Sequence, residues 1–258
     1  MSKTSYFNLL LLLLGSLVLL FIIAPLLGMF IKTSSSEIFS TIDDKEVQQS
    51  ILLTLGASFF GTLFFALGSI PLAYILARKN FYGKRIIQGI IDLPVVIPHT
   101  AAGIAVLGFV SRDTILGKFA DNLGFSFVNH PTGIALAMAF VSVPFLVNAA
   151  RDGFNSVPVR LEKAALNLGA SPARVFFTIS LPLAWKHIVS GLILMFARGM
   201  SEFGAVVIVA YYPMITPTLI YSRFTEYGLT WARPVSVVFI IVCLLFFIGF
   251  RLLVKTKK

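Results

Sequence analysis

Six apolar stretches, each about as long as a lipid hydrocarbon core is thick, decide what this chain can become. A helix crosses a core of about 30 Å with roughly 20 residues, and the sequence reads as spans at about 7–31, 51–77, 87–110, 132–150, 187–211 and 234–254. A bilayer offers the backbone no hydrogen-bond partners, so unpaired spans of this length must be helices. The first is too long for the apolar part of a signal peptide and has no small-x-small site near its end, so it reads as a retained helix; the other reading is a signal anchor. The polar stretches between the spans are each too short to bury a core of their own. The expected fold class is an all-α membrane protein of six transmembrane helices, one domain over residues 1–258.

Composition agrees, with 57% hydrophobic and 12% charged residues and a mean hydropathy of +0.92. The formal charge of +10 could suggest nucleic acid as a partner, but its distribution gives a simpler reason. Lys and Arg collect on the cytoplasmic side of membrane proteins. With both termini inside, fourteen fall in inner segments, among them Lys3, Arg78, Lys79, Arg160, Lys163, Lys255, Lys257 and Lys258, against six outside; Arg198 lies within a span. The chain is thus expected in the cell membrane with both termini and the segment 151–186 in the cytoplasm, and with no nucleic-acid partner. The lone Cys243 forms no intrachain disulfide. His99, His130 and His187 are isolated, which argues against a metal, and no G-x-x-x-x-G-K-[ST] phosphate loop is present, so no ATP and no other cofactor is expected on this chain.

The segment 151–186 is patterned for docking. Ser156 suits an N-cap and Pro158 the first turn of a helix. Leu161, Ala164, Ala165 and Leu168 then repeat at i, i+3, i+4 and i+7, one apolar stripe. Gly169 suits the left-handed position that ends a helix, and Ser171 and Pro172 restart one.

This segment resembles the cytoplasmic coupling loop of the membrane subunits of ATP-binding-cassette importers, whose pattern is Glu-Ala-Ala, three residues, Gly, nine residues, Ile-x-Leu-Pro. Ala164, Ala165, Gly169, Ile179, Leu181 and Pro182 match it; Lys163 stands at the usual Glu position, with Glu162 one place earlier. Asp92-Leu-Pro-Val-Val-Ile-Pro-His99 and the stretch Phe196–Pro213 are similar to the permease subunits of molybdate/tungstate importers of the archaeal type, and the related sulfate permeases share part of the second pattern. The resemblance implies a type I permease architecture, a homodimer, and two cytoplasmic ATPase subunits holding ATP and Mg. It also implies an external oxyanion-binding protein and import of molybdate or tungstate by alternating access. Sulfate or another substrate of the same class is the alternative.

Costly residues within the spans mark the candidate path. Arg198 and Glu202 are four apart and can pair on one helix face, and an intramembrane charge faces protein or a water-filled cavity. Ala197, Gly199, Ser201, Gly204 and Ala205 allow another backbone close. Pro94 and Pro98 each remove a backbone donor and can kink the third span beside His99. Pro94, Pro98, His99, Arg198, Ser201 and Glu202 are therefore candidates for the translocation path or its gate; the plain alternative for each is static packing. An intramembrane enzyme using Asp92 with His99, or Arg198 with Glu202, would lack an aspartate dyad or a serine–histidine pair. An ATP-independent transporter would leave the docking segment without a purpose.

Overall fold

The computed structural model describes residues 3–254, so Lys255, Lys257 and Lys258 of the terminal cationic cluster lie outside the described residues. The elements in order are α1 (Lys3–Ile31), α2 (Ser35–Asp43), α3 (Lys45–Arg78), α4 (Lys84–Val96), α5 (His99–Val110), α6 (Ile115–Asn122) and α7 (Pro131–Ser156). There follow α8 (Val159–Asn167), α9 (Pro172–Val175), a π-helical turn (Phe176–Ser180), α10 (Leu181–Met200), α11 (Val206–Val209), α12 (Thr216–Tyr227) and α13 (Leu229–Val254). Five helical stretches are long and apolar enough to cross a membrane; α4 and α5, bent by 113° at their junction, make a sixth span if taken together.

Helix α7 is the centre of the bundle. Its small and apolar residues, from Gly133 and Ile134 through Ala137, Val141 and Val147 to Phe154, are buried, against α3 on one side and α10 on the other. Three apolar clusters stack along it. One, around Ile134, Met138 and Val206, lies toward the Pro131 end; one, around Ala66 and Met195, lies in the middle; one, around Leu76, Phe154 and Ile188, lies toward the Ser156 end. Helix α1 stands off from this core, with Leu9 through Ile23 exposed, as suits a surface facing lipid.

Spans one, two, four and six run where the apolar pattern places them. The third does not continue through 87–110. Pro94 is accommodated inside α4, whereas the chain breaks at Ile97 and Pro98, because a proline there lacks the N–H and holds Ile97 extended. The fifth span is corrected at both ends. It starts as far back as α9, joined to α10 through the π turn in which the Leu181 N–H reaches the Phe176 carbonyl, and its helix stops at Met200. Residues 201–205 form a connector before α11. Pro71 and Pro144 lie inside continuous helices. Two short helices unseen in the apolar pattern, α2 and α12, sit at the end of the bundle opposite α8; α2 opens with a capping box between Ser34 and Glu37.

Candidate functional site

At the Ser156 end of the bundle, α7 runs directly into α8. Ser156 does not cap α8: it is the last residue of α7, its hydroxyl donating back to the Gly153 carbonyl at 2.7 Å, and Pro158 occupies the N-cap. Pro158 forces an extended residue before it, so the start of α8 slides to Val159. At the other end Gly169 has φ +87°. The Gly169 N–H donates to Leu166 O and the Ala170 N–H to Ala165 O, both at 3.0 Å, the paired closure that a left-handed C′ residue makes possible. Ser171 caps α9, accepting from the Arg174 N–H at 3.3 Å, and Pro172 is its first residue.

One side chain anchors α8. Glu162 is 6% exposed. Arg78, the last residue of α3, donates to it from Nε to Oε2 at 2.8 Å and Oε1 at 3.0 Å, and from Nη2 to Oε1 at 2.9 Å. Nη2 also reaches the Val157 carbonyl at 3.1 Å, and the Ser180 hydroxyl donates to Oε1 at 2.6 Å. Span two, the α7–α8 joint and the π turn are thereby tied to one carboxylate. Charge-assisted bonds in a two-pronged arrangement are the strong ones. With Glu162 turned inward, the predicted stripe turns mostly out: Leu161, Ala164 and Leu168 are exposed, Leu168 at 88%, and Ala165 is half-buried, with Val159, Lys163 and Leu166 exposed beside them. Ile179 and Leu181 are half-buried, and Pro182 is exposed. Arg78 and Ser180 were invisible to the motif; the available signal was a single arginine at the end of an apolar span, which charge counting absorbed.

The second constellation lies where the third and fifth spans break. Arg198 Nη1 is 2.9 Å from Glu202 Oε2, and His99 Nδ1 is 3.1 Å from the same oxygen. These are ionic contacts without hydrogen-bond alignment, so Oε2 has no hydrogen-bond partner among the described residues, while Oε1 accepts from the Ala205 N–H at 2.9 Å. Arg198 Nη2 also approaches both His99 ring nitrogens, at 3.0 and 2.9 Å. The pairing of Arg198 with Glu202 holds, but not as two residues of one helix, since Glu202 lies beyond the end of α10. Its side chain is 1% exposed against 22% for Arg198 and 39% for His99.

Small residues fix this junction. A Cβ on Gly204 would meet His99 Cβ at 2.7 Å, one on Gly103 the Ala205 carbonyl at 2.7 Å, and one on Gly199 the Ser58 hydroxyl at 2.5 Å. Pro98 caps α5, Pro94 is buried in α4, and the Ser201 hydroxyl donates to the Arg198 carbonyl at 3.0 Å. Asp92 accepts from Asn148 on α7 at 2.6 Å, a contact between α4 and α7. The enzyme alternative's residues are thus engaged in holding helices together.

The model for the binding-protein-dependent transport system inner membrane component matches residues 69–257. The chain belongs to that family. Its multi-pass helical bundle is the membrane component of a transport system. Family members at high similarity include the molybdate/tungstate transport system permease protein of Pyrococcus abyssi, 42% identical over 250 residues, which cover 95% of this chain and 94% of the relative. That of Pyrococcus furiosus is 43% identical over 243 residues, 93% of this chain and 92% of the relative. The bundle matches that of a bacterial transporter importing the acidic polysaccharide alginate, with a TM-score of 0.75 over 98% of both chains at 18% identity. At that identity the likeness bears on fold alone.

Proposed function

We propose that this chain is the membrane subunit of an ATP-driven importer of molybdate or tungstate, working by alternating access. The observation carrying the substrate is the identity of 42% over 95% of the chain to a protein named for those oxyanions. The exposed face of α8, with Leu161, Leu166 and Leu168 around Lys163, supports the coupling reading: an amphipathic helix turned away from its own bundle is a surface for a groove on another protein. Two copies of this chain would pair with two cytoplasmic ATPase subunits, which would bind ATP and Mg, and with an external protein that delivers the oxyanion.

In this reading both termini and residues 151–186 face the cytoplasm. The ATPases move α8, Glu162 and Arg78 transmit that movement to α3 and α10, and the cluster of His99, Arg198 and Glu202 is the gate, with Pro94, Pro98 and Ser201 shaping its surroundings. Lys163 would make the face of α8 more cationic than a Glu there, so its partner cleft would carry a carboxylate or a carbonyl opposite.

The test is uptake into proteoliposomes containing this subunit, its ATPase and its binding protein, with ATP inside. Molybdate or tungstate should accumulate only with all three, and sulfate should compete poorly. Accumulation of sulfate with no molybdate or tungstate moved would overturn the substrate. Orientation is read separately: with Cys243 replaced, a cysteine at Ser40 should react with an impermeant reagent from outside and one at Asn167 should not.

A further inference from the structure

The connector 201–205 carries Glu202 into its cluster, so whatever holds the connector decides how firmly the cluster stays closed. Its backbone is lightly tied: the Glu202 N–H donates to the Gly199 carbonyl at 3.0 Å and the Val207 N–H to the Phe203 carbonyl at 2.9 Å. Against α5 it is packed without slack, since a Cβ on Gly204 would meet His99 Cβ, and one on Gly103 the Ala205 carbonyl, each at 2.7 Å. Phe203 adds a contact of another kind. Half-buried, it lies with its ring centroid 4.9 Å from that of Tyr221 on α12, the two planes at 45°. Aromatic rings at this separation attract beyond the area they bury.

Helix α12 is itself fixed by its far face. The Thr216 N–H donates to Thr54 Oγ1 on α3 at 2.8 Å, Leu219 is buried with Val47 of α3 and Val235 of α13, and Arg223 donates to Asp44 and Glu46 at 2.6 and 2.9 Å. At about 100° per residue, Thr216, Leu219 and Arg223 share one face of α12, and Tyr221 points from the opposite one. The helix is thus clamped to α3 and the α2–α3 corner and reaches the connector through the Tyr221 ring. We propose that Tyr221 is a positioning residue for the cluster of His99, Arg198 and Glu202, a role that rests on the reading of this cluster as the gate. Through Phe203 it holds the connector so that the Glu202 carboxylate stays beside Arg198 and His99, and α12 and the connector move together when the cluster opens. Movement at α8 arrives at the connector through α10, whereas movement at the opposite end of the bundle arrives through Tyr221.

Two measurements on the full chain in proteoliposomes with its ATPase test this. Amide hydrogen exchange read by mass spectrometry reports the positioning, and leakage of preloaded molybdate or sulfate without ATP reports the gate. Tyr221→Leu should speed exchange of the Glu202, Ala205 and Val207 amides, whose acceptors lie in or beside the connector, by about two- to tenfold, the shift that one aromatic pair supports. Protection in α3 and α7 should stay as it is, and leakage should rise by a similar factor. Phe203→Leu should reproduce both effects from the other side of the contact, the double variant should be no worse than either single one, and Tyr221→Phe, which keeps the ring, should match the wild type. Phe224→Leu removes a ring one turn along α12 that lines a cleft against α1 and α13 instead, and it should leave exchange at 202–207 unchanged. Unchanged exchange there in Tyr221→Leu and Phe203→Leu, an equal rise in Phe224→Leu, or a Tyr221→Phe no better than Tyr221→Leu would each overturn the positioning role. Faster exchange with no leakage of either anion would uphold the contact and overturn the gate reading.

Discussion

Replacing Arg78 with Met should unseat α8 while leaving the rest of the bundle intact. The change removes three guanidinium contacts to Glu162 and the one to the Val157 carbonyl. Glu162, with 8% of its side chain exposed, then keeps Ser180 as its one remaining side-chain partner. Breaking a buried ion pair by removing one member costs about 3–5 kcal/mol, because the survivor remains desolvated and charged. Even the lower figure is more than a hundredfold in the ratio of seated to unseated α8. Glu162→Gln should cost less, since Arg78 keeps the Val157 carbonyl. In Arg78→Met/Glu162→Met no charge is stranded, and stability should recover most of the loss. The assay is a double-mutant cycle on thermal unfolding in detergent, run beside ATP-driven uptake with the partner subunits. Uptake should fall further than stability in Arg78→Met, as transmission depends on the seat. A coupling energy within about 0.5 kcal/mol of zero, or Arg78→Met with wild-type uptake, would refute the reasoning.

Gly169→Val places a β-branched residue at φ +87°, which costs at least about 1–2 kcal/mol of backbone strain; ATP hydrolysis should continue in proteoliposomes while uptake drops, with Gly169→Ala milder. At the cluster of His99, Arg198 and Glu202, Arg198→Ala and Glu202→Ala should each impair assembly or uptake more than the double change, since either alone strands a charge; a double variant showing the full sum of both losses would remove the pairing from the account. On the side opposite α8, burial acts to raise the Asp44 carboxyl, but the hydrogen bonds from Arg223 and from the Glu46 and Val47 N–H groups, with the Arg223 charge, together outweigh this and hold it below the ordinary 3.8. A depressed carboxylate stabilises above its unfolded value, and that contribution is lost as pH falls through the folded one. Amide exchange in α2 and α12 should therefore accelerate below about pH 4, and Arg223→Gln should flatten that dependence.

Apolar run length was enough to read the helical class and four of the six spans, because it follows from solvation by lipid, and the spacing of Leu161, Gly169, Ser171 and Pro172 was enough to read a helix, a glycine break and a second helix. A kink in the third span was legible in Pro94 and Pro98, though not which of them would break the helix, and the break in the fifth span was not legible. Residues 187–211 remain apolar straight through the connector 201–205, so hydropathy registers no interruption, and only Glu202 in mid-run hinted at one. Pro94 and Pro98 look alike in sequence. What packs beside the break is also remote in sequence: Gly204 lies so close to His99 that an added Cβ would meet His99 Cβ at 2.7 Å. The inward turn of Glu162 was equally hidden, since its partner Arg78 is 84 residues away in the chain.

The π turn at Phe176–Ser180 carries one residue more than an α-helix needs over the same rise. It is a register device. Ser180 faces Glu162 only because that surplus residue rotates α9 relative to α10, and shortening the turn by one residue would leave an unbroken α-helix whose two halves are each intact but turned about 100° out of phase. The docking motif and the membrane span are thus two separately readable parts, and the angle between them is set by a single residue of excess length.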